Sequence, residues 1–218
     1  MKKRLIAVIC VSLLVLSFAS ARILNFAVGP SLGYSFGNAP TNDDATTTVP
    51  YSGATFGFDG TISLTFGDRA EVYFQDQFNL SGSSVFKDTE TPGYKLAFSL
   101  DYISRLGYEH AILTGPLKVS VGGGFALEML TSVYENEADE NKLMFPLIMN
   151  LGVGLTTKVE YALGKHFAVY AKAYADYYFA TGLTVGVSPQ PEGWEPKAYA
   201  GTMNNFNFSA SAGLVLFF

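Results

Sequence analysis

Charged residues are scarce in this chain of 218 residues. Asp, Glu, Lys and Arg make up 15% of it, against a usual share of about 25%. Tryptophan occurs once and histidine twice, whereas hydrophobic residues reach 49%. The high apolar content excludes an intrinsically disordered chain. Because a soluble surface normally carries more charge than this, the composition favours a membrane environment.

Long hydrophobic runs are missing beyond the N-terminus. A polytopic helical membrane protein needs repeated runs of about 18 or more apolar residues, and only residues 5–19 come close. This run follows the basic residues 2–4 and precedes the small-residue sequence Ala19-Ser20-Ala21, which is the pattern of a secretory signal peptide and its cleavage site. We therefore predict a cleaved signal peptide over residues 1–21 and one mature domain over residues 22–218.

Cysteine is absent from the predicted mature chain, because Cys10 lies within the signal peptide. Disulfides, thiolate zinc sites and a cysteine nucleophile are therefore excluded. Without the three basic residues at positions 2–4, the mature chain has 11 Lys and Arg against 19 Asp and Glu, a net charge of −8. Such an acidic surface argues against a nucleic-acid partner. No zinc spacing or nucleotide-binding fingerprint is found, and we predict no cofactor and no metal.

The mature chain instead alternates with a period of two. In residues 24–36, bulky apolar side chains occupy the even positions, and small or polar side chains such as Asn25 and Ser31 occupy the odd ones. Because successive side chains of a strand point to opposite faces, each such segment predicts a strand with one apolar face. The segments lie at about 24–36, 55–66, 70–81, 94–108, 117–130, 143–163, 167–180 and 205–218.

The polar phase of these segments indicates which face points inward. It is rich in Gly, Ser and Thr and poor in long solvating side chains, which suits the crowded interior of a narrow barrel better than a water-exposed sheet. Short connections at 67–69, about 109–116 and 164–166 alternate with long ones at about 37–53, 82–93, 131–142 and 181–204, as in bacterial outer-membrane barrels. We predict an all-β, eight-stranded antiparallel up-and-down transmembrane β-barrel in the outer membrane of a diderm bacterium.

Two features leave alternatives open. Residues 183–187 could extend the seventh strand or begin another hairpin, which would make ten strands. Asp76 falls on the apolar phase of the third segment. Either a bulge rotates it inward, or the strand has left the bilayer at that point.

The C-terminus carries the most specific signal. Ser211, Gly213, Leu216 and the terminal Phe218 belong to an alternating last strand that resembles the assembly signal of outer-membrane barrels. Together with the signal peptide, the strands resemble the small eight-stranded outer-membrane proteins, the group that holds the OmpA transmembrane domain, OmpX and OmpW. The resemblance implies the barrel-assembly machinery and outer-membrane lipids as partners, and we expect a monomer.

The inward phase carries a set of charges that we interpret as a lumen network. Its members are Asp59, Glu71, Lys95, Asp101, Arg105, Lys118, Glu128, Lys158, Glu160, Lys172 and Asp176. Counting from the turns places Arg105 in a low layer and Asp101 and Lys172 near mid-height. Because buried charges need partners and eight strands leave an interior that side chains about fill, we favour a salt-bridged plug. A narrow polar conduit is the alternative.

Other candidate sites are weaker. His110 and His166 both fall at short periplasmic connections, so no Ser-His unit is expected near the outer leaflet and we predict no enzyme. Acidic loop residues include Glu135, Glu137 and Asp139, without the spacing of a calcium loop. Trp194 lies on a proline-rich loop, either as a partner contact or packed over the barrel mouth.

Two functions of different classes follow from these residues. The first is a surface-structural or interaction barrel with a largely filled lumen, which binds an extracellular partner through its acidic loops. The second is a small OmpW-like transporter or channel for hydrophobic or small polar solutes.

Overall fold

Nine antiparallel strands account for nearly all of the described chain. The computed structural model describes residues 21–41, 46–81, 94–190 and 197–218. In this part of the chain, no helix is long and apolar enough to cross a membrane. The strands are β1 Ala21–Pro40, β2 Thr48–Phe66, β3 Ala70–Ser81, β4 Tyr94–Leu113, β5 Leu117–Asn136, β6 Asp139–Ala162, β7 Phe167–Ser188, β8 Lys197–Gly201 and β9 Asn205–Phe217. Residues 1–20 lie outside the described residues, so the signal peptide stays a prediction.

The strands close into a ring of eight positions. Neighbours in sequence pair from β1 through β7, and β9 then pairs with both β7 and β1. Closure matters because an open edge in lipid would leave backbone N–H and C=O groups without partners. The prediction of an all-β, up-and-down barrel is thus confirmed.

The eighth position holds two strands rather than one. β8 pairs with the upper end of β7, from Thr181 to Val185, and β9 pairs with its lower part. Residues 202–204 interrupt the strand between them. Residues 183–187 extend β7, which runs to Ser188, so the alternative of ten strands is wrong for the described chain.

Several strands are longer than the alternation predicts. β5 and β6 enclose only residues 137 and 138, so the predicted long connection at 131–142 is wrong. β4 continues to Leu113 and shortens the next turn to residues 114–116. Beyond the bilayer the outward face no longer needs apolar side chains, so the alternation fades although the backbone ladder continues.

An apolar belt covers the outside of the barrel. Its exposed side chains include Val28, Leu32, Phe58, Phe125 and Leu155. Between them, small and polar side chains turn inward, and Asn25, Ser31, Thr55 and Ser63 are all buried. This arrangement is inside-out relative to a soluble protein and matches a barrel in lipid.

Asp76 stays on the outer face. The pairings of β3 with β2 and β4 show no bulge. The next outward side chains toward the extracellular end, Phe78 and Leu80, are each 64% exposed and apolar, so β3 is still within the belt. Both explanations of Asp76 derived from the sequence are therefore wrong. The Tyr102 hydroxyl donates a hydrogen bond to Oδ1 of Asp76 at 2.6 Å.

The interior changes character toward the extracellular end. Above the polar lumen, six buried side chains form an apolar cap: Ala39, Val49, Tyr51, Leu130, Ile148 and Leu183. They come from five strands, β1, β2, β5, β6 and β7. The barrel is therefore polar inside over its lower and middle parts and apolar inside toward its extracellular end.

Candidate functional site

Six charged side chains form a lower cluster inside the barrel, just above the periplasmic turns. Lys158 Nζ lies 2.7 Å from Glu71, 3.4 Å from Glu109 and 3.6 Å from Glu160. The other two cations are also paired, Lys118 with Glu71 at 3.3 Å and Lys172 with Glu109 at 2.5 Å. Each cation of the lower cluster thus touches a carboxylate, as charges removed from water require.

A middle cluster lies above it and centres on Arg105. The guanidinium binds both carboxylate oxygens of Asp176 through Nε, at 3.0 and 3.2 Å. Its Nη1 donates to the side-chain oxygens of Gln75 and Gln77 at 3.1 and 2.9 Å. The Tyr174 ring lies against it, with the guanidinium carbon 4.2 Å from the ring centroid. The guanidinium of Arg105 is therefore held along its edge by hydrogen bonds and on its flat face by the aromatic ring.

Asp59 belongs to the middle cluster and has no cationic partner within the described residues. Its carboxylate accepts hydrogen bonds from the hydroxyls of Tyr170 at 2.5 Å and Ser211 at 2.9 Å. Gln75 Nε2 and the Tyr174 hydroxyl donate at 3.2 and 3.3 Å. Four neutral donors thus compensate this buried charge.

An upper carboxylate pair, Asp101 and Glu128, lies beneath the apolar cap. The two residues are diagonal neighbours on β4 and β5, since Asp101 faces Leu130 and Glu128 faces Ile103. Glu128 accepts hydrogen bonds from Ser35 at 2.8 Å and Asn150 at 2.5 Å. Asp101 is only 1% exposed, and within the described chain neither of its carboxylate oxygens has a hydrogen-bond partner.

Bonds across the lumen close its cross-section. Ser35 on β1 reaches Glu128 on β5, and these strands lie opposite each other in a ring of eight. Arg105 on β4 likewise reaches Ser209 on the opposite strand β9, at 3.1 Å, and also Asp176 on β7. A diffusing solute would have to break several of these contacts at once.

The structure places ten of the eleven predicted lumen charges inside the barrel. Lys95 lies in β4 opposite Glu135, but its side chain is outside the described residues. The predicted heights of three residues are wrong. Arg105, predicted low, belongs to the middle cluster, and Lys172, predicted near mid-height, belongs to the lower one. Asp101, also predicted near mid-height, belongs to the upper pair. β4 extends to Leu113, so Arg105 stands farther from its turn than the sequence pattern implied.

Glu109 is the lumen residue that sequence reasoning missed. It is fully buried and contacts Lys158 and Lys172. The predicted strand ended at residue 108, which left Glu109 in a turn. Its odd number continues the inward phase of Asp101 and Arg105 on the same strand, so that phase could have identified it.

The remaining candidates lie away from the lumen. His110 contacts the Tyr108 hydroxyl on the exposed surface, and exposed His166 lies 3.5 Å from the carbonyl oxygen of Phe217. Trp194 is outside the described residues. Within the described ranges, no three His, Cys, Asp or Glu side chains are grouped to hold a metal ion.

The C-terminal strand completes the wall beside β1. Ser211 and Gly213 lie on its inward phase, and the outward Leu214 is 52% exposed. At the end of the strand, Leu24 and Phe218 exchange two backbone hydrogen bonds, at 2.9 and 3.2 Å. The terminal ring packs edge-on against Phe26, with ring centroids 5.7 Å apart.

The barrel is similar to solved bacterial outer-membrane proteins. OprG from Pseudomonas aeruginosa is 11% identical with a TM-score of 0.60, covering 91% of this chain and 97% of that one. A major outer membrane protein from Thermus thermophilus is 13% identical with a TM-score of 0.58, covering 89% and 99%. Neisserial surface protein A is 14% identical with a TM-score of 0.50, covering 88% and 96%.

These likenesses concern the fold. No protein-family model matches the sequence, and no curated protein is detectably similar to it. The chain has the fold of the small bacterial outer-membrane β-barrels, which confirms that resemblance. The exposed apolar belt on its outer face is what a barrel that crosses a membrane requires.

Proposed function

We propose that this protein is a closed outer-membrane barrel that presents a rigid acidic surface to an extracellular partner. The filled lumen supports this function best. Three charged layers bridge the interior, and the apolar cap of Ala39, Val49, Tyr51, Leu130, Ile148 and Leu183 lies above them. A lumen bridged by ion pairs and hydrogen bonds and covered by an apolar core opposes the diffusion of polar solutes.

The long strands supply the surface that such a function needs. β6 has 24 residues and β7 has 22, whereas a tilted strand crosses a bilayer in about 9–11. Because the periplasmic turns are short, the excess length lies on the extracellular side. The apolar cap stiffens this extension from within, so it can hold a partner-binding tip at a fixed height.

The tip between β5 and β6 is ordered and acidic. Asn136 Oδ1 accepts hydrogen bonds from the backbone N–H groups of Ala138 and Asp139 at 2.9 and 3.1 Å. The backbone N–H of Asn141 donates to the Asp139 carboxylate and holds its pKa below the ordinary value. Glu135 and Glu137 are exposed beside it. At neutral pH the tip is therefore negatively charged and suits a cationic partner.

A binding assay with a cationic probe tests this proposal. We would measure binding of a fluorescent oligolysine peptide to the protein in phosphatidylcholine nanodiscs, with the triple variant Glu135→Gln, Glu137→Gln, Asp139→Asn beside Asp68→Asn on the periplasmic turn. The tip variant should lose most of the salt-sensitive binding, and Asp68→Asn should keep it. Equal binding by the tip variant and the wild type would contradict the role of the tip.

One observation favours a second candidate, transport through the side of the wall. The pairing of β1 with β9 ends at Phe36 and Phe206, and β1 has no ladder with β8. The Asn205 side chain fills this place: its Oδ1 accepts from the N–H of Asn38 at 2.8 Å, and its Nδ2 donates to the carbonyl of Asn38 at 3.0 Å. An amide side chain thus replaces one missing peptide pair beside the apolar cap.

Asn205→Ala discriminates the two functions. The substitution removes both bonds to Asn38 and leaves the ladders of β9 below it intact. If the protein transports hydrophobic solutes sideways, liposomes carrying this variant should admit a small apolar dye faster than those carrying the wild type. If the barrel is a closed surface protein, both should show background uptake, and planar bilayers with wild type should show no conductance steps.

A further inference from the structure

The lipid-facing surface contains a polar notch that neither proposed function uses. We propose that this notch binds the amino group of a membrane-soluble cationic amphiphile, such as a long-chain primary amine. Its floor is one cross-strand row on the outer face, formed by Gly60, Asp76 and Ser104 on β2, β3 and β4. No member of this row carries an apolar side chain, although the row lies within the belt.

The notch lies at membrane depth. Asp76 is six residues above Ala70, where β3 begins, which corresponds to about 15 Å along the barrel axis for a tilted strand. The apolar band of such barrels is about 25 Å tall. The carboxyl group therefore lies far from both headgroup layers, where ionisable residues are rare and usually functional.

The notch is a cavity with apolar walls, and not merely a polar side chain on the lipid-facing surface. A space of about 370 Å³ opens beside Asp76, and its apolar lining includes Phe26, Phe58, Phe74 and Phe78. This volume is in the range of small-molecule sites. An apolar body would contact these rings while its head reaches the floor.

Gly60 is the reason that the space is open. A Cβ atom added at this position would meet no atom within 4 Å. Packing therefore does not demand a glycine here, in contrast to Gly29, where a Cβ atom would collide with the carbonyl of Ala212. A side chain at position 60 would instead fill the notch.

Asp76 accepts one hydrogen bond from the protein and can accept another from a ligand. The Tyr102 hydroxyl donates to Oδ1 at 2.6 Å, and the Phe78 ring packs on Tyr102 with centroids 4.6 Å apart. Tyr102 thus fixes the carboxyl group through Oδ1, and Asp76, which lines the cavity, keeps Oδ2 as a further acceptor. An ammonium group satisfies both its charge and its hydrogen-bonding capacity, which a neutral or anionic head does not.

Site-directed quenching tests the proposal. Trp194→Phe removes the natural tryptophan, and Phe58→Trp places a reporter in the wall of the notch. Leu155→Trp places the control reporter on β6, opposite β2 in the ring and also exposed to lipid. Each protein in phosphatidylcholine vesicles is titrated with a long-chain amine that carries a nitroxide near its head, and with the matched nitroxide alcohol.

The amine should half-quench the notch reporter at about one tenth of the alcohol's membrane concentration, a ratio that corresponds to about 1.4 kcal/mol. Leu155→Trp should show no difference between amine and alcohol. Asp76→Asn should abolish the preference while keeping an acceptor for Tyr102, and Gly60→Leu should abolish it by filling the space.

Two results would overturn the proposal. One is equal quenching by amine and alcohol at the notch. The other is an unchanged preference in both Asp76→Asn and Gly60→Leu, since both variants remove a part of the site. Heat-modifiable gel migration checks that both variants still form a folded barrel. Misfolding is then not mistaken for lost binding.

Discussion

At the residue scale, the lumen contains two buried aspartates in opposite situations. Asp176 pairs with Arg105, whereas neither Asp101 oxygen has a hydrogen-bond partner in the described chain. Asp101→Asn removes a buried carboxylate charge that no salt bridge in the described chain compensates, so it should leave the free energy of unfolding unchanged or raise it by about 1–3 kcal/mol. Asp176→Asn removes the carboxylate partner of the buried Arg105 guanidinium. It should lower the free energy of unfolding by about 3–5 kcal/mol.

Urea unfolding in lipid vesicles measures both changes. The two substitutions are the same in chemistry and both lie in the lumen, so each serves as the control for the other. An equal loss of stability in both would mean that Asp101 has a stabilising partner after all.

At the scale of single elements, β9 closes the barrel through a tightly packed seam. A Cβ atom on Gly213 would collide with the carbonyl of Val28, across the seam. Gly213→Ala should therefore lower the free energy of unfolding by about 1–3 kcal/mol, the range of overpacked positions. Gly60→Ala, at a strand position with open space, should change it by less than about 0.5 kcal/mol. Chemical unfolding in the same vesicles compares them.

The end of β9 allows a prediction about assembly. Deleting Phe218 removes two backbone hydrogen bonds and one ring contact, so the refolded barrel should lose only about 1–3 kcal/mol. If the terminus is read by the barrel-assembly machinery, the outer-membrane level of the variant in cells should fall far more than its stability in detergent. Normal surface levels would show that the terminal residues act only as a strand end.

At the scale of the whole molecule, the closed ring and the bridged lumen should resist detergent. In a ring the backbone ladder has no free end in lipid, and the three charged layers join opposite walls. Unheated protein in SDS should therefore migrate faster on a gel than boiled protein. A single position for both samples, or a water-soluble protein without detergent, would contradict the barrel.

Sequence alone determined the features that depend on local alternation. A strand fixes the face of each side chain by its parity, so the apolar belt, the inward polar phase and the count of eight wall positions could all be predicted. The same parity identified ten lumen charges and would have identified Glu109 had β4 been followed to its end.

Only the tertiary structure decided what depends on the relative height of different strands. Strand tilt and stagger pair Arg105 with Asp176 and leave Asp101 without a hydrogen-bonding partner in the described chain, and neither outcome can be obtained from one strand's pattern. The apolar cap likewise gathers single residues from separate strands. Its members lie on a phase that is polar lower down, and only their packing against one another across the lumen makes them a core.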